Sequence, residues 1–140
     1  MIKIKIYSVG KTHEPWLEEG LDMYATRLSP WAQIEFIWLK DLAHLEKALQ
    51  NEKNIILLDP IGHQMDSLGF ADWFYKEVER LGSRISFVIG PAEGLPEAMK
   101  KQGKLISLSR MTFTHQLTRL ILIEQIFRAF EIMKGSQYHK

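Results

Sequence analysis

Apolar positions along this chain change their period several times, and the changes mark out alternating strands and helices. Ile2–Val9 alternates Ile with Lys and reads as a strand closed by Gly10. Pro15–Leu28 places Leu17, Leu21, Tyr24 and Leu28 on one side of a helix, which Ser29-Pro30 stops. Ile34–Leu39 is a second strand, and Asp41 caps a helix that runs through Gln50. Asn54–Asp59, NIILLD, is a continuous apolar run ahead of Pro60, the pattern of a central parallel strand. Asp66 and Ser67 precede a helix to Leu81, with Gly82 as its stop. Ile85–Gly90 is another buried strand, Pro96–Lys101 a short helix, and Leu105–Leu108 a last short strand. The alternation predicts an α/β fold: a mostly parallel sheet of five to six strands with helices on both faces.

The closing helix stands apart. It runs from about Thr114 to Lys134, where Gly135 ends it, and follows a loop of small, polar, sulfur-bearing and aromatic residues, Ser109–His115. Eleven of the seventeen residues from Leu117 to Met133 are apolar. Leu122, Ile123, Ile126, Ala129, Phe130 and Met133 fill one broad face, and Leu120 and Phe127 widen it. Glu124, Arg128 and Glu131 form the only charged stripe, with Glu124 and Arg128 in the favourable i,i+4 order. A helix covered on one side shows a single apolar stripe. This one is therefore expected to be buried on two sides, against its own sheet and against a partner subunit, with a larger intrachain core as the alternative. Arg119, inside the apolar surface, is expected to meet an anionic partner or the subunit boundary.

At 140 residues the chain is expected to be one domain, residues 1–140. It has no cysteine, so disulfides and thiolate metal sites are excluded. No apolar run reaches membrane-spanning length and the N-terminus reads as a strand, so the expectation is a soluble, cytoplasmic protein. Net charge is only +1, but from Lys100 onward eight basic residues face two acidic ones. A basic C-terminal end suits contact with a phosphate backbone, and equally a solvated charged face.

Ligands of parallel sheets bind beyond the carboxyl ends of the strands. Three such ends carry suggestive residues: Leu57-Leu58-Asp59-Pro60, Ile89-Gly90-Pro91-Ala92-Glu93-Gly94-Leu95, and Ser107–Phe113. The chain has no GxGxxG after its first strand, no GxxxxGK[ST], no HExxH and no GxSxG. Dinucleotide, P-loop, zinc-protease and hydrolase chemistries thereby lose their usual signatures. The residues alone predict a strand-end pocket for a small polar or adenosine-like ligand. His13, His44 and His63 read as isolated surface residues, Trp16, Trp31, Trp38 and Trp73 as packing residues, and Glu93 as a helix cap.

IGPAEGL, then LISLSRMTFTHQLTRLILIEQIFRAF, then the terminal YHK together resemble the large-subunit rRNA methyltransferase H family of small SPOUT enzymes. The order and spacing of these pieces, over nearly the whole chain, carry the resemblance. It implies a deep C-terminal trefoil knot and a homodimer. It also implies S-adenosyl-L-methionine as cofactor and N3 of a pseudouridine in helix 69 of 23S rRNA as methyl acceptor. The substrate would be the assembled 70S ribosome, and no metal would be needed. Carried over by position, the cofactor would touch Leu58, Gly90, Pro91, Ser109, Arg110, Met111, Thr112, Phe113 and Thr114. Pro91 stands where the family commonly has a second glycine, so a contact there can use a carbonyl but not an N–H. For catalysis the resemblance directs attention to His139 as base, Tyr138 as a stacking group, and Lys140 or Arg128 as phosphate contacts. His115 would orient the loop. The tail of one subunit would close over the cofactor of the other. A knotted methyltransferase of tRNA, or a non-catalytic ribosome-binding protein of this fold, are the rival readings.

Overall fold

A computed structural model describes residues 1–140. Five strands, β1 (Ile2–Val9), β2 (Ala32–Leu39), β3 (Ile55–Gln64), β4 (Arg84–Ile89) and β5 (Lys104–Ser107), form one sheet in the order β2-β1-β4-β3-β5. Every pairing is parallel. The helices between them are α1 (Pro15–Leu28), α2 (Leu42–Leu49), α3 (Ser67–Arg80), α4 (Glu97–Lys100) and α5 (His115–Lys134).

Alternation along the central strands sorts the side chains onto two faces. Ile4, Ile6, Ile56, Ile85 and Phe87 join α1, α3 and α5 in one core. Tyr7, Ile55, Leu57 and Val88 join Leu45 and Leu49 of α2, Leu95, and Met99 of α4 in a smaller one on the other face. Both faces are covered, which is why the first half of β3 reads as an unbroken apolar run.

Helix ends lie where their chemistry puts them. The side chains of Asp41, Asp66 and Thr114 accept hydrogen bonds from His44 N (2.9 Å), Gly69 N (2.7 Å) and Leu117 N (3.1 Å). Each satisfies one of the otherwise orphaned first-turn donors. Pro15 opens α1 at the position where a missing N–H costs nothing. Gly135, at φ +72°, closes α5 in the left-handed conformation that favours glycine. Glu93 is not a cap: the N-cap position before α4 is held by Pro96, with no side-chain hydrogen bond.

α5 lies between α1 and α3 on the sheet. Its Phe127 ring is 5.6 Å from that of Tyr24, and Phe130 is 5.8 Å from Phe74 and 5.6 Å from Tyr75. The breadth of its apolar surface is therefore answered by the chain's own helices, and does not by itself require a second subunit. Met133, expected in that face, is exposed. Arg119 also departs from expectation. It is fully buried, and its guanidinium meets Ser8 Oγ, Thr12 Oγ1, Val9 O and Gly10 O, with no carboxylate. The ring of Trp38 lies 4.0 Å away. Its position at a strand end, not an acidic partner, explains a cation in this face.

The third strand is longer than its apolar run. Leu58 and His63 both pair with Ile106 of β5, so Asp59–Gly62 arches past β5 and the chain resumes pairing at His63 and Gln64. Gly62 makes the passage possible, because a Cβ there would come within 2.6 Å of the Ile106 backbone.

Candidate functional site

At the carboxyl ends of β4 and β5, and beside β3 where its apolar run ends, the structure opens a cavity of about 830 Å³. β1 leads to its neighbour β2 on one side, whereas β4 leads across β3 to β5 on the other. Their adjacent ends form the switch point where such sheets hold ligands. Three walls are the ones expected from sequence: Leu58–Pro60, Ile89–Pro91 with Leu95, and Ser107–Ser109 with Met111–Thr114.

Local bonds hold each wall in place. Ser107 Oγ donates to Ser109 O (2.9 Å), and Met111 N donates to Ser109 Oγ (3.0 Å), so the last loop is folded on its own serines. Thr114 then starts α5. Asp59 accepts from Ile61 N at 3.0 Å and pairs with Lys100 at 3.0 Å, which makes it a brace and leaves no free acid at this strand end. Gly90 is small for a packing reason, since a Cβ would meet Leu95 Cγ at 2.8 Å. The carbonyl of Pro91 accepts from Gly94 N at 2.8 Å and keeps one lone pair for anything else.

Leu58, Gly90, Pro91, Ser109, Met111, Thr112, Phe113 and Thr114 all line the cavity. Arg110 does not; it is exposed. The fourth wall was missed by sequence reasoning. It comes from the β1–α1 loop, with His13, Glu14 and the start of α1, where Trp16 is 53 % exposed and not a packing residue. Trp31, Trp38 and Trp73 each have an aromatic or cationic partner, and Trp16 has neither. His115 and Gln116 complete this side. Gln116 Nε2 donates to Lys11 O (2.8 Å) and lies 3.3 Å from His115 Nε2. The amide nitrogen is a donor, so it leaves the His115 proton on Nδ1. Burial first, then the charge of Arg119 and the nearby His13, hold the His115 pKa below its ordinary value, and the ring is neutral at pH 7.

The tail residues gather elsewhere, around a hub that sequence reasoning also missed, Glu124. Its carboxylate accepts from Arg128 (2.7 Å) and from the Tyr138 hydroxyl (2.7 Å). Tyr138 stands edge-on to Phe127, with ring centroids 4.9 Å apart, and the Arg128 guanidinium lies 4.9 Å from its ring centroid. Burial, then the bond to Glu124, push the Tyr138 phenol well above its usual pKa. Arg128 Nη1 is 3.1 Å from His139 Nδ1. A guanidinium only donates, so His139 accepts at Nδ1 and carries its proton on Nε2. Lys140 is exposed. None of Glu124, Arg128 or Tyr138–Lys140 lines the cavity of its own chain. Thr118 is the last lining residue of α5, and Arg128 lies about 15 Å further along the axis at the rise of an α-helix.

A parallel sheet with its pocket at the switch point is the architecture of a nucleotide-type ligand binder, and solved structures narrow the class. A probable methyltransferase from Bordetella pertussis superposes with a TM-score of 0.59 at 11% identity, over 91% of this chain and 94% of that one. A structure solved in a study of 2-OH methylation of C/U34 on tRNA gives 0.56 at 11% identity, over 96% and 98%. These superpositions show that the fold is shared. The model of a family described as "Predicted SPOUT methyltransferase" matches residues 2–139. "Ribosomal RNA large subunit methyltransferase H" of Protochlamydia amoebophila is 55% identical over 140 residues, all of both chains. The protein of that name from Caldicellulosiruptor saccharolyticus is 38% identical over 98% of this chain and 99% of its own. The chain belongs to the SPOUT methyltransferase family, in its ribosomal RNA large subunit methyltransferase H branch.

Proposed function

We propose that the protein is an S-adenosylmethionine-dependent methyltransferase that modifies N3 of a pseudouridine in large-subunit ribosomal RNA, in helix 69 of the assembled ribosome. The observation that carries this reading is end-to-end identity of 55% to a relative named for large-subunit rRNA methylation, in a chain whose expected cofactor loops converge on one cavity.

The cavity suits the cofactor. Its volume lies within the few hundred to about 1,000 Å³ usual for small-molecule sites. Leu58, Met111 and Phe113 offer apolar cover for an adenine. The backbone of Gly90 and of Ser109–Thr114 offers hydrogen-bonding groups for its edge, with Pro91 contributing only a carbonyl. When bound, S-adenosylmethionine supplies a methyl group already made electrophilic by its sulfonium, so no metal is called for. The remaining work is alignment of N3 and removal of its proton.

His139 is the base of this proposal. Its Nδ1 becomes available once docking RNA draws Arg128 away toward a phosphate, and Lys140 adds a second phosphate contact. Tyr138, kept protonated by its surroundings, presents a ring for stacking on a base. The separation of tail and cavity along α5 supports a homodimer in which one subunit's tail reaches the other's cavity. Pairing of Ile106 with both Leu58 and His63 supports a threaded C-terminus of the SPOUT kind.

Methyl incorporation into intact ribosomes, free large-subunit rRNA and tRNA tests the substrate. One added methyl on a single pseudouridine, found only with ribosomes, is the expected result. Preference for tRNA, or no incorporation, would overturn it.

A further inference from the structure

Arg119 is the largest fully buried side chain, and it is charged. Burial lowers its pKa to about 10, and it remains cationic at neutral pH. No acid compensates it. Buried ions are costly, and an apolar residue of similar volume would serve packing at least as well. Stability is therefore a poor account of a guanidinium at this position.

What it does is geometric. β1 ends at Val9, and Gly10 turns at φ +89° into the loop that becomes the fourth wall of the cavity. Nη2 of Arg119 reaches Gly10 O at 2.7 Å, Val9 O at 3.0 Å and Ser8 Oγ at 3.1 Å, while Nη1 reaches Thr12 Oγ1 at 2.9 Å. One turn earlier on the same side of α5, Gln116 donates to Lys11 O. Two residues three apart thus hold every position from Val9 to Thr12, immediately before His13, Glu14 and Trp16 enter the cavity wall. The opposite wall, Ser109–Thr114, runs directly into the helix that carries both clamps. A planar fork with five donors can serve acceptors spread over five residues of chain; an ammonium group cannot.

We infer that Arg119 is a positioning residue of the cavity. It sets the spacing between the β1–α1 loop and the β5–α5 loop, and so the affinity of the site for its ligand, without touching that ligand. The ligand half of the inference rests on the reading of this cavity as the S-adenosylmethionine site.

The test uses the full-length protein, Arg119→Lys and Thr12→Val. Thr12 lies outside the cavity lining, and its substitution removes one clamp acceptor only. Amide hydrogen exchange of the ligand-free proteins and calorimetric titration with S-adenosylmethionine are measured together. Arg119→Lys is expected to speed exchange at Lys11–Glu14 while leaving β1, β3 and β4 protected, and to weaken binding about tenfold, the worth of a lost charged hydrogen bond. Thr12→Val should move both readouts the same way, by less. Wild-type affinity in both variants, or exchange that rises uniformly through the molecule, would overturn the clamp. Should Arg119→Lys fail to fold, Thr12→Val decides alone, and unchanged exchange and affinity there sink the inference. A wild-type protein that does not bind S-adenosylmethionine would instead remove the cofactor reading.

Discussion

His115 sits where burial, the Arg119 charge and His13 all disfavour its protonated form. Its folded pKa lies below the unfolded value of about 6.5. The unfolded chain therefore takes up this proton first as the pH falls. The stabilisation from a neutral His115 is complete above about pH 6.5 and is lost as the pH falls through the lowered folded pKa. Thermal unfolding of wild type between pH 7 and pH 5 should show this loss, and His115→Gln should flatten the profile in that window. Equal slopes for the two proteins would contradict it. His139 makes a different prediction. As the proposed general base it would contribute about 10²–10⁴-fold, so His139→Asn should lower kcat by that factor with cofactor affinity unchanged. A loss of less than tenfold would move the role of base to another group. At this scale the sequence was informative where a residue follows directly on its own strand, as Leu58, Gly90 and Met111–Thr114 do. It took His13 for an isolated surface residue and Trp16 for a packing one, and said nothing of Glu14, because their place in the cavity depends on β1 lying beside β4 and on Arg119, 109 positions after Gly10 in the chain, holding the loop. Glu124 was visible only as a partner of Arg128. Its bond to Tyr138 required the tail to fold back along α5.

Elements were far more legible than contacts. α1 runs from Pro15 to Leu28 as expected, and α2, α3, α4, β1, β2, β4, β5 and α5 end within two residues of where caps, glycines and apolar periods place them. β3 is the exception. Pro60–Gln64 has no apolar pattern, and pairing with β5, not its own composition, recruits His63 and Gln64 into the sheet. Gly62 gives that crossing a direct test. Gly62→Ala forces a methyl against the Ile106 backbone and should cost about 1–3 kcal/mol in denaturant unfolding, the range for overpacked interiors. A neutral substitution would mean that the two segments pass at a greater distance. On α5, Phe130 is wedged between the α3 rings of Phe74 and Tyr75. Phe130→Ala should destabilise the fold by about 3–5 kcal/mol. A much smaller cost would show that this face is covered by something other than α3. The periodicity of α5 revealed how wide its apolar surface is but not what covers it, since neighbouring helices and a second subunit leave the same pattern.

Across the molecule, the cavity and the Glu124–Arg128–Tyr138–His139 cluster occupy different stretches of one helix. No helix is long and apolar enough to cross a membrane. The chain also has little net charge with which to grip naked RNA, which fits a protein reading a composite ribosomal surface. Composition and periodicity do not encode threading. The relation of β3 to β5 emerges only when strand pairing is known, and the proposal that two copies share the site rests on the distance along α5 between cavity and tail. The division is also the easiest claim to test. A subunit lacking Tyr138–Lys140 is co-expressed with a subunit whose cavity is filled by Thr112→Trp, and the mixed dimer is purified by two tags and assayed for ribosome methylation. Each parent dimer should be inactive, and the mixed dimer should regain activity, because it contains one intact cavity facing one intact tail. Since one of its two sites is whole, about half of wild-type activity is expected. An inactive mixed dimer, or full activity in the tail-deleted parent, would contradict the account.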